Sequence, residues 1–146
     1  MSTEERRQLL DQAVKGMNAR DWGTYGRVFA EDVVVSTPGE PEPVRGRAAR
    51  VRSIADLMEA FPDGTVETTR TFAVGDLVCV ECMFTGTHTG PLKTPDGSSV
   101  HATHQRVRFP YCVIMRFEGD VVAEVHEYYD QLELLLPLGL MRPTGA

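Results

Sequence analysis

Basic residues are in deficit: the chain carries 15 Lys and Arg against 21 Asp and Glu, a formal net charge of -6. Phosphate-backbone binding needs a concentrated positive stripe. The arginines here are scattered along the chain among more numerous carboxylates, which argues against a nucleic-acid partner. Cysteine is scarce and odd in number, Cys79, Cys82 and Cys112, which excludes a disulfide scaffold and fits a reducing compartment. No apolar run approaches the length that crosses a bilayer. The opening MSTEERRQLL has no signal-peptide core. The expectations are therefore no membrane partner and a cytoplasmic location. No internal repeat is visible. What remains is 146 residues, 42% hydrophobic and 25% charged, enough to bury a core without disulfide or metal support, and one domain over residues 1–146 is expected.

Leu9, Leu10, Ala13, Val14 and Met17 recur at helical spacing behind a cap at Ser2 or Thr3. Asp21 is placed to cap a second, shorter helix carrying Trp22, Tyr25, Val28 and Phe29. The run Asp32–Val35 starts a strand that breaks in the proline-rich loop Pro38–Pro43. From about Arg47, the residues Val51, Ile54, Ala55, Met58 and Phe61 give a third helical stripe, stopped by Pro62-Asp63-Gly64. The period then changes to two. Thr65–Val74, Leu77–Thr87, Arg106–Glu118 and Val121–Tyr129 read as strands, with Gly75-Asp76 and Gly119-Asp120 as hairpin turns. A leucine-rich segment, Gln131–Leu136, precedes Pro137. Helices first and strands after indicate an α+β fold with helices packed on one face of an antiparallel meander.

Phe61-Pro62-Asp63, the run Gly86-Thr87-His88-Thr89-Gly90-Pro91-Leu92, Arg116-Phe117 with its Gly119-Asp120 turn, and Tyr128-Tyr129-Asp130-Gln131 ahead of Leu138-Gly139-Leu140 occur in an order and spacing that resembles the SnoaL-like polyketide cyclases of the NTF2-like, ketosteroid-isomerase-like superfamily. The resemblance implies a cone-shaped roll, a curved antiparallel sheet with N-terminal helices enclosing one pocket. Two positions depart from it: Thr103-His104 stands where relatives commonly have Thr-Gly, and Pro137 where they commonly have Gln. It also implies a carboxylate at Asp130 acting as acid and base. The competing reading of Asp130 is a cap on the segment that follows.

His126, Tyr128 and Asp130 alternate, which aims all three at one face of the sheet. On a concave face they form an acid/base and oxyanion constellation, with Glu127 and Tyr129 turned the other way. His88, between glycines at a strand end, is a fourth catalytic candidate; its bland reading is an exposed loop histidine. Tyr25, Phe29, Met58, Phe61, Phe84 and His104 are expected at the substrate, the first five as apolar lining. Cys79 and Cys82 form C-x-x-C, but on a strand they point to opposite faces, and His101 with His104 falls on a loop or strand. Neither pair reads as a metal site, and no cofactor is expected.

Two classes of function fit. One is a cofactor-independent cyclase or isomerase working by proton transfer on a polyketide-like or polycyclic carbonyl substrate, with an epoxide hydrolase or epoxide-opening cyclase as its neighbour on the same scaffold. The other is a non-catalytic binder of a small apolar molecule. A homodimer is expected on the sheet face that the helices leave open.

Overall fold

The structure is a computed structural model that describes residues 1–94 and 96–142. Helix α1 (Thr3–Asn18) begins where Ser2 Oγ accepts the Glu5 N–H at 3.1 Å, and Glu4 and Glu5 complement its positive end. It buries Leu10, Ala13, Gly16 and Met17. Helix α2 (Trp22–Gly26) is capped by Asp21, whose Oδ1 accepts the Thr24 N–H. α2 is shorter than the spacing predicts. Val28 O already accepts the Val122 N–H at 2.8 Å, and Phe29 is the first residue of strand β1 (Phe29–Ser36). Sheet pairing therefore takes over from helix at the valine-rich run, where β-branched side chains favour it.

Strand β2 (Val44–Arg45) turns into helix α3 (Arg47–Ala60), which stops at Phe61 because the following Pro62 disfavours helical backbone there. β3 (Thr65–Val74), β4 (Leu77–Thr87), β7 (Arg106–Glu118) and β8 (Val121–Tyr128) form the meander. Gly75 and Gly119 each take positive φ at the first position of their two-residue turns, as glycine permits. The six-stranded sheet has the order β2-β1-β8-β7-β4-β3, and all neighbours are antiparallel except β1 and β8. Between β4 and β7 lies an unanticipated hairpin of β5 (Leu92–Lys93) and β6 (Ser99–Val100), and helix α4 (Gln131–Leu135) follows β8. Among the described residues, no helix is long and apolar enough to cross a membrane.

Alternation sorts the strands. Val78, Val80, Cys82 and Phe84 of β4, and Val107, Phe109, Val113, Met115 and Phe117 of β7, are buried beneath the helices. Cys79 points the other way from Cys82, as the spacing predicts. β8 does not keep this rhythm. Phe117 pairs with Val122 but Arg116 pairs with Glu124, so one extra residue is accommodated at Ala123. Val122 and Ala123 are consecutively buried, and beyond them the odd-numbered residues of β8 face inward.

Candidate active site

The inner face of the sheet and the helices α1, α2 and α3 enclose a cavity of about 510 Å³, within the range of small-molecule sites. Its walls are mostly apolar. Met17 of α1, Phe29 of β1, Met58 of α3, Phe84 of β4 and Phe109 of β7 contribute. Phe84 and Phe109 lie 5.4 Å apart between centroids, and Phe109 stacks at 5.9 Å on Tyr129. Leu92 and Val100 of the β5–β6 hairpin, together with Leu134 and Leu135 of α4, complete the wall.

A buried ion pair interrupts this lining. Arg50, on the inner face of α3, donates from Nη1 to Glu127 Oε1 of β8 at 2.6 Å, and the two side chains are only 8% and 12% exposed. Glu127 Oε2 has no protein hydrogen-bond partner among the described residues, and neither has the buried Arg50 Nε. Tyr25 of α2 and Tyr111 of β7 share the lining with this pair. Burial would by itself loosen the Arg50 proton, but Tyr25 and Glu127 beside it outweigh that and hold the guanidinium more firmly cationic than in water. Burial pushes the Tyr25 phenol up, and it pushes Tyr111 well up, so both keep their protons at neutral pH and stand as O–H donors. Burial likewise raises the Cys82 thiol, which lines the same cavity and is therefore a protonated small hydrophobe, not a thiolate. The whole is an ion pair with a free carboxylate oxygen and two phenols in an apolar surround, where electrostatic interactions are strong.

The residues expected from the sequence divide sharply. Tyr25, Phe29, Met58 and Phe84 do line the cavity. Phe61 does not. It is fully buried in the core behind the wall, edge-on to Phe84 at 5.4 Å. His104 is exposed on the loop before β7, at positive φ, and lies outside the lining. His88 is neither an exposed loop residue nor a cavity residue. It is 0% exposed, rests on Phe61 at 5.5 Å, and its Nδ1 accepts the Thr103 N–H at 3.2 Å and meets Thr103 Oγ1 at 2.9 Å. With Nδ1 accepting, the proton sits on Nε2, which has no protein partner among the described residues. Burial pushes the His88 pKa down.

Asp130, His126 and Tyr128 all lie outside the cavity. The expectation that they face it together is corrected by the bulge at Ala123, which resets the alternation and turns Glu127 and Tyr129 inward instead. Tyr128 is 54% exposed, and His126 Nε2 stands 3.9 Å from Glu124 on the outer face. Asp130 is exposed, and its Oδ1 accepts the Leu132 N–H at 2.9 Å, the capping role weighed against catalysis. Arg50 was missed because one arginine among several, Arg45, Arg47 and Arg52 beside it, reads as part of a solvent-facing run. Its place one turn before Ile54 of the apolar stripe was the available signal.

A family profile described as SnoaL-like polyketide cyclase matches residues 7–138. No curated protein matches the chain. Among solved structures, AclR of Streptomyces galilaeus, named as a candidate hydroxylase, is similar at 26% identity and a TM-score of 0.81, over 97% of this chain and 89% of that one. A SnoaL-like polyketide cyclase candidate of Jannaschia is similar at 19% identity and a TM-score of 0.83, over 98% of both chains. A protein of Catenulispora acidiphila with a ketosteroid isomerase-like fold, solved with trimethylamine, is similar at 18% identity and a TM-score of 0.73, over 92% of this chain and 97% of that one. These likenesses establish the α+β, NTF2-like roll.

Proposed function

Because this chain belongs to the SnoaL-like polyketide cyclase family, we propose that its cavity performs cofactor-independent proton transfer on a polyketide-like or polycyclic carbonyl substrate, leading to ring closure or isomerisation. The observation that carries this reading is the Arg50–Glu127 pair, with Glu127 Oε2 unengaged, set beside the Tyr25 and Tyr111 phenols in a mostly apolar cavity.

Glu127 Oε2 takes a proton from the carbon next to a carbonyl, and the C–H electron pair passes into that carbonyl to give an enolate. Tyr25 and Tyr111 donate hydrogen bonds to the developing oxyanion. In ring closure the enolate carbon attacks a second carbonyl of the same molecule, a carbon–carbon bond forms, and the proton held on Glu127 passes to the new alkoxide. In isomerisation the same proton returns to a different carbon. Arg50 fixes the carboxylate and acts through it. The apolar walls hold the ring system and exclude water.

The test is solvent proton exchange of a cyclic ketone analogue followed by NMR. Glu127→Gln keeps a hydrogen-bond acceptor for Arg50 and removes the base, so exchange should fall by roughly 10²-fold. Exchange that persists in folded, ligand-saturated Glu127→Gln rules out Glu127 as the base. Binding with no exchange in either protein favours the non-catalytic binder. Conversion of an epoxide but not a ketone favours the epoxide-opening reading, in which Glu127 activates water or an internal hydroxyl.

A further inference from the structure

On the side of α2 and α3 away from the cavity lies a second concavity, a shallow groove whose walls include Trp22, Gly23, Arg27, Arg47, Ala48 and Arg52. In a chain of net charge -6 it gathers three guanidinium groups. Among the described residues none of the three reaches a carboxylate within ion-pair distance, whereas Arg7, Arg50, Arg70 and Arg116 each do. Asp21, next to Trp22 in the chain, feels the Arg27 charge but is committed to α2: its oxygens take the Thr24 N–H at 3.1 Å and the Thr24 hydroxyl at 2.6 Å. Asp56, four residues after Arg52, pairs with Lys93 at 3.1 Å. Arg47 is fixed in the wall by its Nε, which donates to Phe29 O at 2.8 Å. Arg27 and Arg52 are exposed and free to turn toward a ligand.

The floor is open next to the indole and closed farther in. A Cβ built on Gly23 would meet only Asp21 Oδ1, at 3.6 Å, while one on Gly26 would strike Val51 Cγ2 at 2.9 Å, where the two helices touch. Trp22 is seated against the Tyr25 ring, edge to face at 5.9 Å, and keeps part of its surface exposed. Backbone, alanine and indole offer an apolar bed, and the guanidiniums offer planar forks that match tetrahedral oxyanions. We propose that this groove binds a flat aromatic ring carrying a phosphate, the ring lying on the Trp22–Gly23–Ala48 bed and the phosphate held by Arg27, Arg47 and Arg52. The proposal is independent of the chemistry assigned to the cavity.

Trp22 is the single tryptophan of the chain, so its emission reports on this groove directly. The probe is adenosine monophosphate at low salt, with adenosine and inorganic phosphate as the separated halves. The expected result is a saturable change in Trp22 emission with the nucleotide. Its affinity should fall as salt rises, and each half alone should bind at least about tenfold more weakly, since both the stacking and the charged contacts are needed. The double variant Arg27→Gln/Arg52→Gln, at two exposed positions, should keep its melting behaviour and lose about tenfold or more in nucleotide affinity. Calorimetry gives the same comparison without the indole. No saturable response to the nucleotide, equal binding of adenosine or phosphate alone, or unweakened binding by the double variant would each overturn the proposal. A response to polyglutamate with none to the nucleotide would also overturn it, in favour of an acidic polypeptide as the occupant.

Discussion

Two carboxylates three chain positions apart, Glu127 and Asp130, do different work because of what surrounds them. Glu127 is enclosed with Arg50, whereas Asp130 is in solvent with a backbone N–H. Asp130→Asn should therefore leave ketone proton exchange near the unmodified rate, because asparagine also caps helices, while Glu127→Gln abolishes most of it. A comparable loss in both variants would return Asp130 to the chemistry. Removing the Glu127 side chain entirely, Glu127→Ala, strands the Arg50 charge in the interior and should destabilise the fold by about 3–5 kcal/mol, measurable by urea denaturation. His88 makes a separate, pH-dependent contribution. Its folded pKa lies below the ordinary histidine value of 6.5 because burial disfavours the charged ring. As pH falls below 6.5, the unfolded chain takes up this proton first, so stability present above 6.5 is lost as pH descends through the folded pKa. His88→Phe should remove that part of the stability slope, as read from denaturation midpoints at stepped pH, and an unchanged slope would show that other groups cause it.

At the scale of elements, the chain pattern disclosed nearly all of the architecture. Caps at Ser2 and Asp21, the Pro62 stop and the two glycine turns are local chemistry, and each is where the sequence places it. The parts that were not legible depend on partners distant in the chain. Phe29 left α2 for β1 because β8 pairs with it, and the β5–β6 hairpin is held by contacts with α3, including the Lys93–Asp56 ion pair at 3.1 Å. The site was misread for the same reason: His126, Tyr128 and Asp130 do alternate, but which face they alternate on is decided by pairing with β7. One close approach is testable at this scale. Gly90 donates its N–H to Ala60 O, and a Cβ there would lie 2.0 Å from Glu59 O. Gly90→Ala must push the segment between β4 and β5 off the end of α3, and a loss of roughly 1–3 kcal/mol in urea denaturation is expected. A neutral substitution would show that this contact yields freely.

For the whole molecule, the helices cover one face of the sheet and leave the other with Phe72 and Val74 of β3 largely exposed, at 56% and 75%, and with Ile114 and Tyr128 on the same side. We propose that a second copy of the chain covers this outer face, placing Tyr128 and His126 in an interface and the cavity of each copy away from it. Light scattering at micromolar concentration should report twice the 16.2 kDa chain mass. Phe72→Glu, a charge on that face, should shift the population toward monomer without altering the cavity. A monomeric unmodified protein would leave the exposed strand face without this explanation.

The bulge at Ala123 acts as a phase selector for everything downstream of it on β8. The strand carries two interleaved sets of functional groups, Glu127 with Tyr129 and His126 with Tyr128, and a single supernumerary residue decides which set is enclosed and which is displayed. Were β8 to keep all its residues and pair without the bulge, on from Phe117–Val122, Val113 would meet His126 in place of Glu127: the cavity would exchange its carboxylate for an imidazole, and Arg50 would be parted from its counter-charge. Deleting Ala123 has the opposite meaning, since it removes the bulge and leaves every downstream partner where it is. Chemistry and assembly in this fold are thus two readings of one segment, separated by one residue of frame.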